Sequence, residues 1–197
     1  MVTRTELVSR LERAFLDHGY DQLTMIGLAK AVDVTRRTLY NYFSGKEEAF
    51  RFLIENVNQD AVEAGMAAGR AELAERRDPV AIFVTILDTR YGQARRRLAT
   101  SPHAVEINDQ AFRRCRDVMI ASAIAFQAEL AGLIAEMQID GLLRLKPDIR
   151  PTDLAQLIAD GARGTNQSLP PIQPDKLYLR YGSMVRAILY GATDPVA

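Results

Sequence analysis

The chain has 197 residues, 48% of them hydrophobic, and its 25 basic and 25 acidic side chains give a formal net charge of zero. That length suits one large domain or two small ones with a sizeable core, and a zero total excludes a global electrostatic footprint for nucleic acid, so any basic patch must be local. Cys115 is the single cysteine, which rules out an intrachain disulfide and fits a cytoplasmic protein; the charged, amphipathic N-terminus reads as no signal sequence, and no apolar run approaches the roughly 18 residues a membrane span needs.

Helical periodicity runs through the chain, and no stretch alternates long enough to predict a strand. Leu7, Leu11, Ala14 and Phe15 stand at helical spacing, and that first helix should stop near His18-Gly19. Thr24 can cap a second helix through about Val32, and Thr35 a third through about Phe43. Ser44-Gly45 ends the third. A long fourth helix follows from Lys46, with a break expected near its glycines. Pro79 fits the first turn of a fifth. A short helix should follow Ser101-Pro102, then a long helical stretch from Phe112 to Leu145 whose apolar stripe is Ile120, Ile124, Leu130, Leu133, Ile134 and Met137. Thr152 or Asp153 can cap the next helix. A last one should run from about Pro174 to Tyr190, after the proline-rich "QSLPPIQPD". The fold class is all-α, with about nine helices.

The stretch 33–50, "DVTRRTLYNYFSGKEEAF", carries more large side chains than a short helix can bury. On a wheel at about 100° per residue, Leu39 and Phe43 define the buried stripe with Thr35 close by. The opposite side presents Arg37, Thr38, Tyr40 and Asn41, flanked by Arg36 and Tyr42. These types suit DNA: arginine pairs bidentately with guanine, asparagine with adenine, a threonine methyl meets thymine, and a tyrosine hydroxyl reaches phosphate. Lys30, Arg36, Arg37 and Lys46 against Asp33 give this segment a local net charge of plus three. A helix, a tight turn and a helix with such an outer face are what a DNA-binding helix-turn-helix requires.

The order of residues adds to the wheel. Gly19-Tyr20, Thr24, Leu28-Ala29, Asp33-Val34-Thr35, Thr38-Leu39-Tyr40-Asn41-Tyr42-Phe43 and Lys46-Glu47 follow one pattern. That pattern resembles the N-terminal domain of TetR-type (TetR/AcrR-like) transcriptional regulators over about a quarter of the chain. The resemblance implies a helix-turn-helix domain over residues 1–46 and a helical effector-binding and dimerisation domain over 47–197. It implies that Thr24 caps a helix whose N-terminus faces a phosphate, and that Thr35, Arg36, Arg37 and Thr38 approach base edges. Tyr40, Tyr42 and Lys46 would hold the DNA backbone, and Asn41 shares their exposed face. Two departures stand out. Asp33 replaces the turn's usual glycine, and aspartate tolerates the left-handed backbone such a turn needs. Arg37 occupies a position that is often small.

The resemblance also implies a homodimer through the last two long helices. Leu154, Ile158, Ala162, Tyr181, Val185 and Ile188 are the expected interface, small residues there letting helices approach closely. A small-molecule effector is expected to sit in the larger domain, with Phe83, Leu87, Tyr91, Phe112, Met119, Phe126 and Asn166 as candidate wall residues. The expected partners are therefore double-stranded DNA, a second copy and an effector, with no membrane.

No metal-ligand spacing, nucleophile elbow or glycine-rich phosphate loop occurs, so neither cofactor nor enzymatic activity is expected. His18 and His103 are the only histidines. Cys115, among arginines, is either a low-pKa thiol or a plain helical cysteine. The cluster at 93–99, "QARRRLA", is a solvated helix end or a second anion site. The reading that follows is a sequence-specific regulator, a repressor released from a pseudo-palindromic operator by an effector. The alternative is a small-molecule-binding or scaffolding protein of the same fold that does not read DNA.

Overall fold

A computed structural model describes residues 3–195. The first two residues of the segment read for a signal sequence, and the outermost residues of both expected domains, lie outside that range. The helices are α1 (Arg4–His18), α2 (Met25–Ala31), α3 (Arg36–Tyr42), α4 (Lys46–Ala74), α5 (Pro79–Leu87), α6 (Gln93–Leu98), α7 (Ala104–Arg114), α8 (Arg116–Ile139), α9 (Pro151–Asn166) and α10 (Leu177–Ala192). A π-helical turn over Asp88–Gly92 joins α5 to α6 without a break, so the described residues form nine continuous helices, as the periodicity predicts.

Most boundaries follow from capping chemistry. The Thr3 hydroxyl accepts the Glu6 N–H, and the Glu6 carboxylate accepts the Thr3 N–H at 2.9 Å, a reciprocal box at the start of α1. Thr24, Thr35 and Asp78 accept from the N–H three residues on, at 3.1, 3.1 and 3.2 Å. Gly19, at φ 72°, ends α1 with its N–H on Phe15 O. Asp33 sits at φ 55°, so the turn between α2 and α3 does adopt the left-handed backbone with aspartate in the glycine's place.

Four boundaries differ from the sequence reading. First, α4 runs unbroken through Gly65 and Gly69. These glycines are where α5 crosses closely: a Cβ on Gly65 would stand 3.1 Å from the Ile86 carbonyl oxygen, and one on Gly69 would collide with the Ile86 side chain. Second, the stretch from Phe112 to Leu145 divides at Cys115 and ends at Ile139. Third, α9 is capped from Arg150, whose N–H and guanidinium donate to Asp153 at 3.1, 2.9 and 2.7 Å. Fourth, Arg144–Leu145 pairs antiparallel with Thr193–Asp194, a two-residue ladder too short to show as alternation.

The chain divides into two compact units. One runs to Asp60 and takes in Arg97–Ser122; the other comprises Ala61–Arg96 and the chain from Ala123 onward. The first unit has its own core of Leu7, Leu11, Phe15, Leu28, Leu39, Phe43 and Phe50, extended by Ile107, Ala111 and Cys115 from the later segment. The second has a core built from α5, the inner faces of α8, α9 and α10, and Val62 and Met66 of α4.

One exclusion drawn from sequence is corrected. Among the described residues, α8 is long and apolar enough in composition to cross a membrane. Scattered single charges and small residues hide this from a search for an unbroken apolar run. The helix buries Phe126, Leu130, Leu133, Ile134 and Met137 in the second unit's core, whereas its Ile120, Ile124 and Ile139 are exposed.

Candidate nucleic-acid interface

Three short helices build the site. Leu11 and Phe15 of α1, Leu28 of α2 and Leu39 of α3 are all at 0–1% exposure and lock the helices to one another. Phe43, just past the end of α3, is also buried and packs its ring 5.3 Å from that of Phe52 on α4. Burial of this kind fixes the rotation of α3 about its own axis, because Leu39 and Phe43 leave one face outward.

That face carries the predicted side chains. Arg36, Arg37, Tyr40, Asn41 and Tyr42 are exposed, with Tyr40 and Tyr42 at 43% and 42%, and Thr38 is half-buried. The Arg36 guanidinium lies 5.4 Å from the Tyr40 ring centroid, one helical turn on, so the two long side chains support each other. Thr35, placed by the wheel near the buried stripe, is exposed instead, because its hydroxyl is turned to Thr38 at the helix start. Thr24 is exposed at the start of α2, as expected of a cap facing outward.

Lys46 behaves differently from the others. Its ammonium donates to Tyr20 O at 2.7 Å and Asp21 O at 3.4 Å, and lies 4.3 Å from the Tyr20 ring centroid. The lysine therefore ties the loop between α1 and α2 to the start of α4. Arg10 is a second tie: it donates to Val32 O at 2.9 Å and lies 3.8 Å from the Asp33 carboxylate, holding the turn before α3. Neither tie is visible in sequence, since each joins elements at least 22 positions apart.

The α4 end of the site is stiffened by charge. Glu48 accepts both the Ser44 N–H and hydroxyl, at 2.6 and 2.7 Å, and these bonds hold its carboxyl below the ordinary range. Arg51 grips Asp117 bidentately at 3.0 and 2.6 Å, and this pairing lowers the Asp117 pKa to about 2. Cys115, two residues before Asp117, is fully buried, and burial pushes its thiol pKa up. Of the two readings offered for that residue, the low-pKa thiol is overturned: desolvation outweighs the nearby arginines. The arginine cluster at 93–99 is also largely spent within the chain, since Arg96 pairs with Asp88 at 2.9 and 2.8 Å and Arg97 lies 3.4 Å from Glu12.

The other predicted residues scatter. Phe83, Leu87 and Phe126 lie in the second unit's core, with Tyr91 half-buried beside them and its ring edge-on to Phe126 at 6.1 Å. Asn166 accepts the Tyr181 hydroxyl at 2.8 Å. Phe112 and Met119 belong to the first unit instead: Phe112 is 41% exposed, and Met119 packs against that unit's core.

The expected dimer residues need correction. Leu154, Ile158, Ala162, Tyr181 and Val185 are all at 0% exposure within the chain's own core, and Ile188 is half-buried against it. Here α10 packs against both α9 and α5. The apolar side chains these helices leave outward are Leu157, Tyr178, Leu179 and Tyr190, at 47%, 48%, 70% and 89% exposure.

Three locked helices, a left-handed turn and a polar outward face define a DNA-binding helix-turn-helix on an all-helical chain. Residues 7–51, about a quarter of the chain, match the family described as "Bacterial regulatory proteins, tetR family". No curated protein matches in sequence. Solved structures agree on the fold. A TetR transcription regulator from Haloarcula marismortui is 15% identical with a TM-score of 0.70, over 97% of this chain and 98% of its own. SmeT, the repressor of the Stenotrophomonas maltophilia multidrug efflux pump SmeDEF, is 15% identical with a TM-score of 0.65, over 98% and 91%, and is also solved as a triclosan complex. Thermus thermophilus FadR, a transcriptional repressor solved with lauroyl-CoA, is 18% identical with a TM-score of 0.63, over 99% and 97%.

Proposed function

We propose that this chain is a sequence-specific transcriptional regulator, a homodimeric repressor that leaves a pseudo-palindromic operator when a small molecule binds. The observation that carries the reading is the outward face of α3, where Arg36, Arg37, Tyr40 and Asn41 project above a buried Leu39. Arg37 and Asn41, one turn apart, are assigned to base edges. Thr35, Arg36 and Thr38 open the helix toward them, and Thr24, Tyr40, Tyr42 and Lys46 are assigned to the phosphate backbone. The functional division is a head over residues 1–46 and a remainder over 47–197.

One helix in one groove offers few base contacts, and dimers answer this by binding two half-sites. The exposed Leu157, Tyr178, Leu179 and Tyr190 are the apolar surface assigned to that dimer. The effector is assigned to the second unit's core near Phe83, Leu87, Tyr91, Phe126 and Asn166, whose apolar rings with one amide suit an apolar or amphipathic molecule. Triclosan in SmeT and lauroyl-CoA in FadR are of that kind. Release then requires that the effector bind one arrangement of the two heads better than the other.

Titration of labelled duplexes across a range of salt tests the reading. A regulator binds with a steep negative slope of log K against log salt and prefers one duplex over others. Binding that is absent at low salt, with effector binding intact, leaves the non-reading alternative.

A further inference from the structure

The loop that starts α2 is fastened from outside the head. Its residues Gly19, Tyr20 and Asp21 lie against α7, more than eighty positions along the chain but in the same compact unit. The Asp21 N–H donates to the Glu106 carboxylate at 2.6 Å. The Asp21 carboxylate accepts from Gln110 Nε2 at 3.1 Å. Gln110, only 4% exposed, accepts in turn from Arg114 Nε at 2.7 Å. Arg114 completes the chain by pairing with Glu47 of α4 at 2.6 Å, with its guanidinium 4.6 Å from the Tyr20 ring centroid. Glu106, Gln110 and Arg114 are spaced four apart, so they form one row along a helix face.

The loop's backbone is shaped to this row. Gly19 has φ 72°, and a Cβ there would collide with the Glu106 carboxylate and the His103 ring. At the end of α1, Ser101 Oγ donates to Leu16 O at 2.6 Å. The Lys46 ammonium also lies over the Tyr20 ring, so two cations contact the aromatic side chain. A surface loop is ordinarily the most mobile part of a small helical domain; in this one Gly19, Tyr20 and Asp21 are each bonded to a neighbouring element.

We propose that Glu106, Gln110 and Arg114 are positioning residues for DNA reading, a polar ladder on α7 that fixes the loop between α1 and α2 and thereby the presentation of α3. The proposal rests on the DNA-reading function above. The head does not require the ladder to hold together, because Leu11, Phe15, Leu28 and Leu39 already form its core. What the ladder adds is an anchor outside the three helices. Thr24, the cap of α2, follows Asp21 by three residues, so α2 starts from a fixed point, and α3 follows α2 through a turn held by Arg10.

The test compares wild type, Glu106→Ala, Glu106→Gln and Asp21→Ala in the full chain. Each binds the tightest duplex selected from a random pool and an unrelated duplex of equal length, with thermal melting as the check on folding. Glutamine keeps an oxygen that accepts the Asp21 N–H, and alanine does not. Glu106→Ala and Asp21→Ala are expected to weaken the selected duplex by about tenfold, the effect of losing one charge-assisted bond, and the unrelated duplex by less than about twofold. Glu106→Gln is expected to stay within about twofold of wild type. Equal weakening on both duplexes, no weakening at all, or the same selective loss in Glu106→Gln as in Glu106→Ala would overturn the ladder's role. Asp21 is exposed, so its variant answers the question if Glu106→Ala fails to fold. A wild-type chain that does not distinguish the duplexes removes the DNA-reading proposal itself, and the ladder's role with it.

Discussion

Helices α3 and α9 make an instructive pair. Both are amphipathic, and in both the sequence shows which residues are apolar. For α3, the wheel places Leu39 and Phe43 inward and the arginines outward, and the structure agrees. For α9, the family resemblance assigns Leu154, Ile158 and Ala162 to a second chain, whereas they are buried in the chain's own core, where α9 packs on α10. Periodicity identifies a face that must be covered; it does not say what covers it. In α3 the ambiguity does no harm, because its partners are elements next to it in the chain, α2 before it and the start of α4 after it. In α9 the partner lies across a proline-rich break, and another copy of the chain would satisfy the same stripe.

Substitutions under the two helices break the comparison most severely. Leu39→Ala and Ile158→Ala each remove a fully buried branched side chain, and each is expected to cost about 2–5 kcal/mol in denaturant unfolding. Neither should change subunit stoichiometry directly. Dissociation of a dimer by Ile158→Ala with monomer stability intact would instead place Ile158 in the interface between copies. Leu179→Glu, on the outward face of α10, is the counterpart: sedimentation should show weaker self-association with little loss of folding, since exposed positions typically shift stability by about 0.5 kcal/mol or less.

On the reading face the effects are smaller and more specific. Arg37→Ala is expected to cost about 1–3 kcal/mol on the preferred duplex and to relax choice at one base position. Equal loss on every sequence would make Arg37 a phosphate contact. Lys46→Ala should reduce the salt slope by about one unit if its charge reaches phosphate. An unchanged slope would leave its work wholly in holding Tyr20 and Asp21. The smallest effect is titrational. Asp117 has its folded pKa depressed to about 2, chiefly by the Arg51 hydrogen bonds, so its stabilising contribution is complete above the ordinary value near 3.8 and fades as pH falls through about 2. Carboxyl-carbon NMR should record that midpoint near 2 and its return to the ordinary range in Arg51→Ala.

Legibility followed the range of the interactions. Helix count, the caps Thr24 and Thr35, the stop at Gly19 and the left-handed Asp33 are set within a few residues, and all could be read from sequence. The anchoring of Lys46, the docking of Asp21 on α7 and the close crossing at Gly65 depend on residues 20 to 90 positions apart. Gly65 and Gly69 looked like helix breakers because their other reason for being there, the close crossing of α5, lies about twenty positions along the chain. The scatter of Phe112 and Met119 away from Phe83 and Phe126 has the same origin, since residue type alone does not record which compact unit a side chain joins.

Selection of duplexes from a random pool by the purified chain tests the central claim most directly. Two inverted half-sites are expected to be enriched, with centres about 10 base pairs or a multiple of that apart, and Arg37→Ala is expected to lose the preference at one base position. A pool that emerges unenriched, retained only in proportion to salt, would contradict it.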